Sequence, residues 1–205
     1  MGTINDTEAV AGSLARASFT VFHPVHTIRC TGARIYRSQA ARDLACLLDV
    51  DRDVVSWECM PKPLEVRGRP HVPDFGMVDP DGRLWLLDAP DRHGVVDEKA
   101  VESAAAEAGG SYRLVSRREV YGGYRLKNAR DLLRYGGYNA RLGDRIRLLA
   151  ALDEQGSLTL AECMCAIRET QPIAGIAVLI LGGFIEVDLD SGPLGPETVV
   201  RRIRA

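Results

Sequence analysis

The chain has 205 residues, 46% of them hydrophobic and 26% charged, with a formal net charge of −2. That length holds one medium domain or two small ones, and the composition is that of an ordinary globular protein. No apolar run approaches the ~20 residues that span a bilayer: the longest, Ile173 to Phe184, is interrupted by three glycines.

No membrane partner is therefore expected. The first residues lack a basic region followed by an apolar stretch, so no signal peptide is expected either. Five cysteines (Cys30, Cys46, Cys59, Cys163, Cys165) without a CxxC spacing point to reduced thiols and a cytoplasmic setting.

Residues 1–17 are small and polar and read as a disordered tail. Residues 18–36 read as an irregular extended lead-in. Ser38 is placed to cap a helix running to about Asp49, with Leu44, Leu47 and Leu48 at helical spacing. "DVVSWECMP" (53–61) reads as a strand, and "LEVRGRP" leads to a second around "PDFGMV". Asp79-Pro80-Asp81-Gly82 has the chemistry of a turn, and "RLWLLDA" is a third strand. Residues 95–108 read as a helix ended by Gly109-Gly110, and "SYRLVS" as a fourth strand. Helix, three-stranded meander, helix, strand predicts an α/β (α+β) core with a mixed sheet.

Residues 128–138, "NARDLLRYGGY", read as a short helix and hinge. Helices then follow over 141–154, 160–168 and 172–181, the first two joined by a turn and cap at Gly156–Thr159. "FIEVDLDSGPLGPETVVRRI" reads as a terminal hairpin. Three helices with a two-stranded wing predict a winged helix-turn-helix. The expected division is a nuclease-like domain over 18–137 and a winged-helix domain over 138–205, with a boundary near Tyr135–Asn139.

"HVPDF" followed by "GRLWLLDAP" is the arrangement with which many nucleases hold a metal. Hydrolysis of a phosphodiester with Mg²⁺ needs carboxylates held together on rigid strands, with a Lys alongside to orient water and balance charge. Asp74 and Asp88 can supply two carboxylates. Pro90 stands where the Lys should be, and proline also ends a strand. Arg92 can swing in, but it stays protonated and makes a poor base.

These motifs, with "RSQAARDLACLLDVDRDVVSWECMP" before them and "NARDLLRY" after them, resemble the TnsA-type endonuclease subunits of heteromeric transposases. Those belong to the PD-(D/E)XK restriction-endonuclease-like superfamily. The resemblance covers roughly residues 35–203. It implies a restriction-endonuclease-like core, a C-terminal winged helix and a metal-dependent nuclease site. It places the first metal ligand, a helix Glu, at position 41, where this chain has Ala41, and the Lys at Pro90. Asp43, two residues on, is turned about 200° around the helix axis. What remains is a vestigial pair, Asp74 and Asp88, with at most weak Mg²⁺ binding. The expectation is a degenerate nuclease rather than an efficient one.

Charge is unevenly spread. Ala9 to Arg42 carries five Arg and no acid, and Ser111 to Arg147 carries ten Lys or Arg against three acids. Glu169 to Val200 carries five acids and no Lys or Arg. Candidate contacts to duplex DNA are Arg34, Arg37 and Arg42 in the first segment. In the second they are Arg113, Arg117, Arg118, Arg125, Lys127, Arg130, Arg134, Arg141 and Arg145. The third winged-domain helix offers no base-reading side chain, and its wing is acidic (Glu186, Asp188, Asp190). That domain reads better as a packing or partner-binding module, or a homodimer contact.

His23 and His26 with Cys30 lack a fourth ligand for zinc, and Cys163 and Cys165 read as core and half-buried thiols. The expected function is DNA binding or assembly, in regulation or in a mobile-element or phage-like setting. An active endonuclease and a protein adaptor without DNA are the alternatives.

Overall fold

The computed structural model of the protein describes residues 26–90, 92 and 97–204. The expected tail over 1–17 and residues 18–25 of the lead-in, His23 among them, lie outside the described residues. Contacts divide the chain into two compact units, one over Arg29–Gly122 and one over Gly123 onward with His26–Ile28.

The first unit opens with α1 (Gln39–Val50). Ser38 Oγ accepts from Ala41 N at 3.0 Å, satisfying one of the N–H groups a helix start leaves unpaired. The helix is buried over almost its whole length. The strands are β1 (Ser56–Cys59), β2 (Leu64–Val66), β3 (Arg69–His71), β4 (Phe75–Val78) and β5 (Leu84–Asp88). Then come α2 (Glu98–Glu107), β6 (Ser111–Leu114) and α3 (Arg117–Tyr121).

The main sheet has the order β1-β4-β5-β6. β1, β4 and β5 run antiparallel as a meander, while β6 lies parallel to β5. A parallel neighbour needs a crossover, and α2 supplies it. The α/β core with a mixed sheet is therefore present. α2 packs through Val101 and Ala105 against Leu86 and Tyr112 of the main sheet and Leu64 of β2. Trp57 meets Phe75 edge-on at 5.5 Å, and Trp57 Nε1 donates to the buried Asp49 carboxylate at 2.9 Å.

Two elements depart from expectation. "LEVRGRP" is not a lead-in but a hairpin of its own, β2 against β3. Arg67 and Gly68 both take positive φ, 51° and 74°, the geometry of a tight primed turn whose twist matches the flanking strands. The segment after β6 also folds into α3, started by a reciprocal Ser116–Glu119 capping box.

The second unit holds α4 (Arg125–Leu133), α5 (Leu142–Gln155), β7 (Ser157–Thr159), α6 (Leu160–Ala166), α7 (Pro172–Leu181), β8 (Ile185–Val187) and β9 (Val199–Arg202). Its sheet has the antiparallel order β7-β9-β8. The expected wing thus gains a third strand, because Ser157–Thr159, read as turn and cap, pairs with β9 while Thr159 also caps α6. One core binds these pieces: Leu148 and Leu152 of α5, Cys163 of α6, Ile176 and Leu179 of α7, Ile185 and Val200 of the strands.

The division at Gly122/Gly123 falls earlier than the expected 135–139. The reason lies in α4. Its fully buried Asn128 donates to Leu189 O at 2.9 Å and Gly192 O at 2.8 Å and accepts from Leu194 N at 3.0 Å. That one amide ties the helix to the loop between β8 and β9, so α4 belongs to the second unit.

Candidate functional site: a carboxylate pair closed by arginines

The meander brings Asp74 and Asp88 together. Asp74 precedes β4 and Asp88 ends β5, and Phe75 pairs with Leu87, so the two acids flank one rung of the ladder. Asp74 N donates to Asp88 Oδ1 at 2.9 Å, and Ala89 N donates to Asp74 Oδ2 at 2.9 Å. Both side chains are buried.

Two guanidinium groups fill the space beside them. Arg37 Nε donates to Asp74 Oδ1 at 2.8 Å, with Nη2 3.9 Å from Asp88 Oδ1. Arg92 Nη1 lies 3.5 Å from Oδ1 of both acids. The second oxygen of Asp88 is taken as well: His71 Nε2 is 2.8 Å away, and Tyr112 Oη donates at 2.9 Å. The result is a near-neutral cluster of two carboxylates and two guanidiniums with a histidine and a tyrosine at its edge.

Pro90 explains how Arg92 arrives. β5 ends at Asp88 as a strand before proline should, and Arg92 N donates to Ala89 O at 3.1 Å. Proline is well suited to the second position of such a turn. The turn folds the chain back, so the cation that the Lys position lacks comes from Arg92.

Electrostatics follow from burial. Desolvation is the largest influence on Asp74; the Arg37 charge opposes it and the Asp88 charge adds to it, leaving Asp74 raised to about 6. Burial, then the charge and hydrogen bond of Asp88, raise the Tyr112 phenol above its ordinary range.

Mg²⁺ does not fit this arrangement. Every oxygen of the pair already accepts from a protein donor or faces one, and two fixed positive groups stand where a dication would sit. Hard divalent cations need several free oxygen ligands. Ala41 lies buried in the first turn of α1 and brings only a methyl group. Asp43 is buried and accepts from Gln39 Nε2 at 2.8 Å. Among the described residues, no group of three or more His, Cys, Asp or Glu is set to hold a metal.

The candidate DNA contacts divide. Arg37 is engaged at the carboxylates and Arg42 is buried, so neither is available to a phosphate. Arg34, Arg117 and Arg118 are exposed on the first unit, as is Arg113, which pairs with Glu119 at 3.5 Å. On the second unit Arg125 pairs with Asp190 at 2.9 Å, and Asp131 pairs with both Lys127 and Arg134 at 3.1 and 3.6 Å. Arg130 is half-buried.

Arg141 stands at the N-cap position of α5 without a capping side-chain hydrogen bond, and Arg145 lies one turn on, stacked over the Phe184 ring at 4.8 Å. Arg168 joins them through its backbone, since Arg168 N donates at 2.7 Å to Asp144 in the first turn of α5. Among the described residues no carboxylate pairs with Arg141, Arg145 or Arg168. Arg168 lies outside the basic stretch of the sequence, and only the fold brings it there.

His26 packs over a glycine pair. A Cβ on Gly137 would meet its ring at 2.8 Å, and one on Gly136 would meet its Cβ at 3.0 Å. Cys163 is a core thiol raised to about 11 by burial, and Cys165 is exposed rather than half-buried. α7 shows solvent an apolar residue, Ile173. Beside it opens a cavity of about 400 Å³ lined by Met164, Ile176, Ile180, Tyr135 and Pro196 among others.

Neither a protein-family model nor a curated protein matches the chain.

Proposed function

We propose that this protein is a DNA-binding or assembly module built on a nuclease-type core that no longer cleaves. One observation carries the reading: Arg37 and Arg92 lie against the Asp74–Asp88 pair, where a metal-dependent nuclease of the TnsA type would hold its cation. The order of α1, the β1-β4-β5 meander, α2 and parallel β6 supports descent from such a core. Helices α5, α6 and α7 with the three-stranded sheet of the second unit support a winged-helix reading. Duplex backbone would be held through exposed arginines, with the salt dependence that counterion release imposes.

Purified protein incubated with plasmid and Mg²⁺ or Mn²⁺, alongside a gel shift on duplex DNA, tests the proposal. Binding without cleavage is expected. Cleavage that disappears in Asp74→Ala would restore the endonuclease reading.

A second reading, a protein adaptor without DNA, has its own support. Several cations of the 111–147 stretch already carry carboxylate partners, and the surface near α7 is apolar. A missing gel shift at low salt would favour it.

A further inference from the structure

The β2–β3 hairpin forms a ribbon of its own, outside the main sheet. Its base is held on both strands. Leu64 and Val66 pack with α2, and His71, the register partner of Leu64, reaches Asp88 at 2.8 Å. The tip is free of such packing. Arg67, Gly68, Arg69 and Pro70 are all exposed, and a Cβ added to Gly68 would meet no atom within 4 Å.

The tip sequence is at odds with its backbone. Both central residues of a primed turn need positive φ, which Gly, Asn and Asp adopt most readily. Arg67 holds a φ of 51° there. An arginine kept in that conformation, facing solvent, points to a use for its guanidinium. Within the fold its partner is Asp97, the N-cap of α2, in an ion pair open to solvent. Such pairs contribute little to stability. Among the described residues no carboxylate pairs with Arg69. Strand alternation puts Glu65, the acid of the ribbon, on the face opposite Arg69.

We propose that this tip enters the minor groove of A/T-rich duplex DNA. The inference rests on the DNA-binding reading above and names where and how one contact is made. A minor groove about 6 Å wide is too narrow for a helix but takes a turn with no side chain at its centre. Arg67 and Arg69 flank Gly68, so two guanidiniums reach toward the groove floor. There A·T pairs present only acceptors, adenine N3 and thymine O2, whereas G·C pairs add a guanine amino group that repels a donor. A-tracts also narrow the groove and deepen its negative potential, which favours inserted arginines. Pro70, exposed beside Arg69, is one of the residue types that wedge against base steps. β3 runs from Arg69 to His71 at the carboxylate cluster. The engaged duplex therefore lies beside the closed Asp74–Asp88 pair, held by groove shape where a nuclease would cut.

Fluorescence anisotropy of the full chain with labelled A/T-rich and G/C-rich duplexes of equal length, at one salt concentration, tests the proposal. The A/T-rich duplex should bind at least about fivefold tighter. Netropsin, a small molecule that fills the A/T minor groove, should displace the protein. Arg67→Asn with Arg69→Thr supplies residues suited to a primed turn and to a strand, so the Tm should match or exceed that of wild type. The same variant should bring the two affinities to within about twofold of each other. Glu65→Gln should keep the preference. Equal wild-type affinity for the two duplexes, indifference to netropsin, or a double variant that retains the preference overturns the minor-groove contact and leaves the broader DNA reading standing. Wild type that binds neither duplex overturns both. The wild-type comparison and the netropsin competition need no substitution, so a double variant that folds poorly leaves the test intact.

Discussion

Arg37 and Arg92 converge on one acceptor: their Nη2 atoms donate to Val72 O at 2.6 and 2.8 Å. That carbonyl fixes both guanidiniums above the Asp74–Asp88 pair. Removing one arginine leaves two buried carboxylates facing one cation. Arg37→Ala or Arg92→Ala should destabilise the first unit by about 3–5 kcal/mol, the usual cost of orphaning a buried charge. Urea unfolding measures it. Arg37→Met with Asp74→Asn, which removes a charge of each sign, should cost less than Arg37→Ala alone. Arg37→Lys should recover only part of the loss, because an ammonium cannot reproduce the fork to Asp74 and Val72. Equal stability for wild type and both alanine variants would show that the arginines are incidental.

Asp74 ties stability to pH in a stated direction. Burial raises its folded value to about 6 from an ordinary 3.8. Between those values the folded state binds more protons than the unfolded one, so stability rises on acidification and falls as pH climbs through about 6. The slope cannot exceed about 1.4 kcal/mol per pH unit for one group. Wild type should therefore gain on Asp74→Asn as pH drops from 7 to 4.5 in paired urea titrations. A wild-type advantage that instead grows with pH would mean that Arg37 outweighs burial.

Much of this site was legible in the sequence. Strand alternation and the Asp79–Gly82 turn were enough to bring Asp74 and Asp88 together, and Ser38 announced α1. The arginine closure was not legible in full, because Arg37 reaches Asp74 across long sequence separation and no local pattern encodes it. Arg92 was a candidate, but its delivery depends on the turn that Pro90 starts. The β2–β3 hairpin was missed because Arg67-Gly68 lacks the Asn or Asp that usually marks a primed turn. α3 was readable from Ser116 and Glu119, whose three-residue spacing is a capping box. The edge strand β7 is too short to show a period.

Metal binding gives an independent test of the closed pair. Mn²⁺ titrated into the protein should produce no saturable, Asp74-dependent line broadening in NMR spectra near β4 and β5, since the carboxylate oxygens are occupied. Ala41→Glu with Pro90→Lys alone should not change this while Arg37 and Arg92 remain. Adding Arg37→Ala and Arg92→Ala to that pair should open the site and allow Mn²⁺ in. Asp74-dependent broadening in wild type at micromolar metal would refute the closed arrangement.

DNA affinity, if it resides in the second unit, should map to the arginines that no carboxylate neutralises. Arg141 and Arg145 share a helical face by their i, i+4 spacing, and Arg168 is fastened to the same turn through Asp144. Asp144 itself is buried, which alone would raise it. Hydrogen bonds from Arg168 N, the Thr170 hydroxyl, Glu169 N and Arg147 outweigh burial and hold it well below the usual range. The turn thus stays assembled at neutral pH and loses this support only as pH falls through the acid range. Arg141→Ala with Arg168→Ala should weaken duplex binding by at least ~1 kcal/mol and reduce the log–log salt slope by about one to two units, each lost phosphate contact releasing roughly one fewer counterion. Arg130→Ala with Arg134→Ala should do less, since Arg130 is half-buried and Arg134 shares Asp131 with Lys127. Asp190→Asn frees Arg125 from its 2.9 Å partner and should leave binding unchanged or strengthen it slightly. Gel shifts across a salt series read all three variants. Wild type that fails to shift DNA near about 50 mM salt, where phosphate contacts are strongest, would end the DNA reading and leave the basic positions to a protein partner.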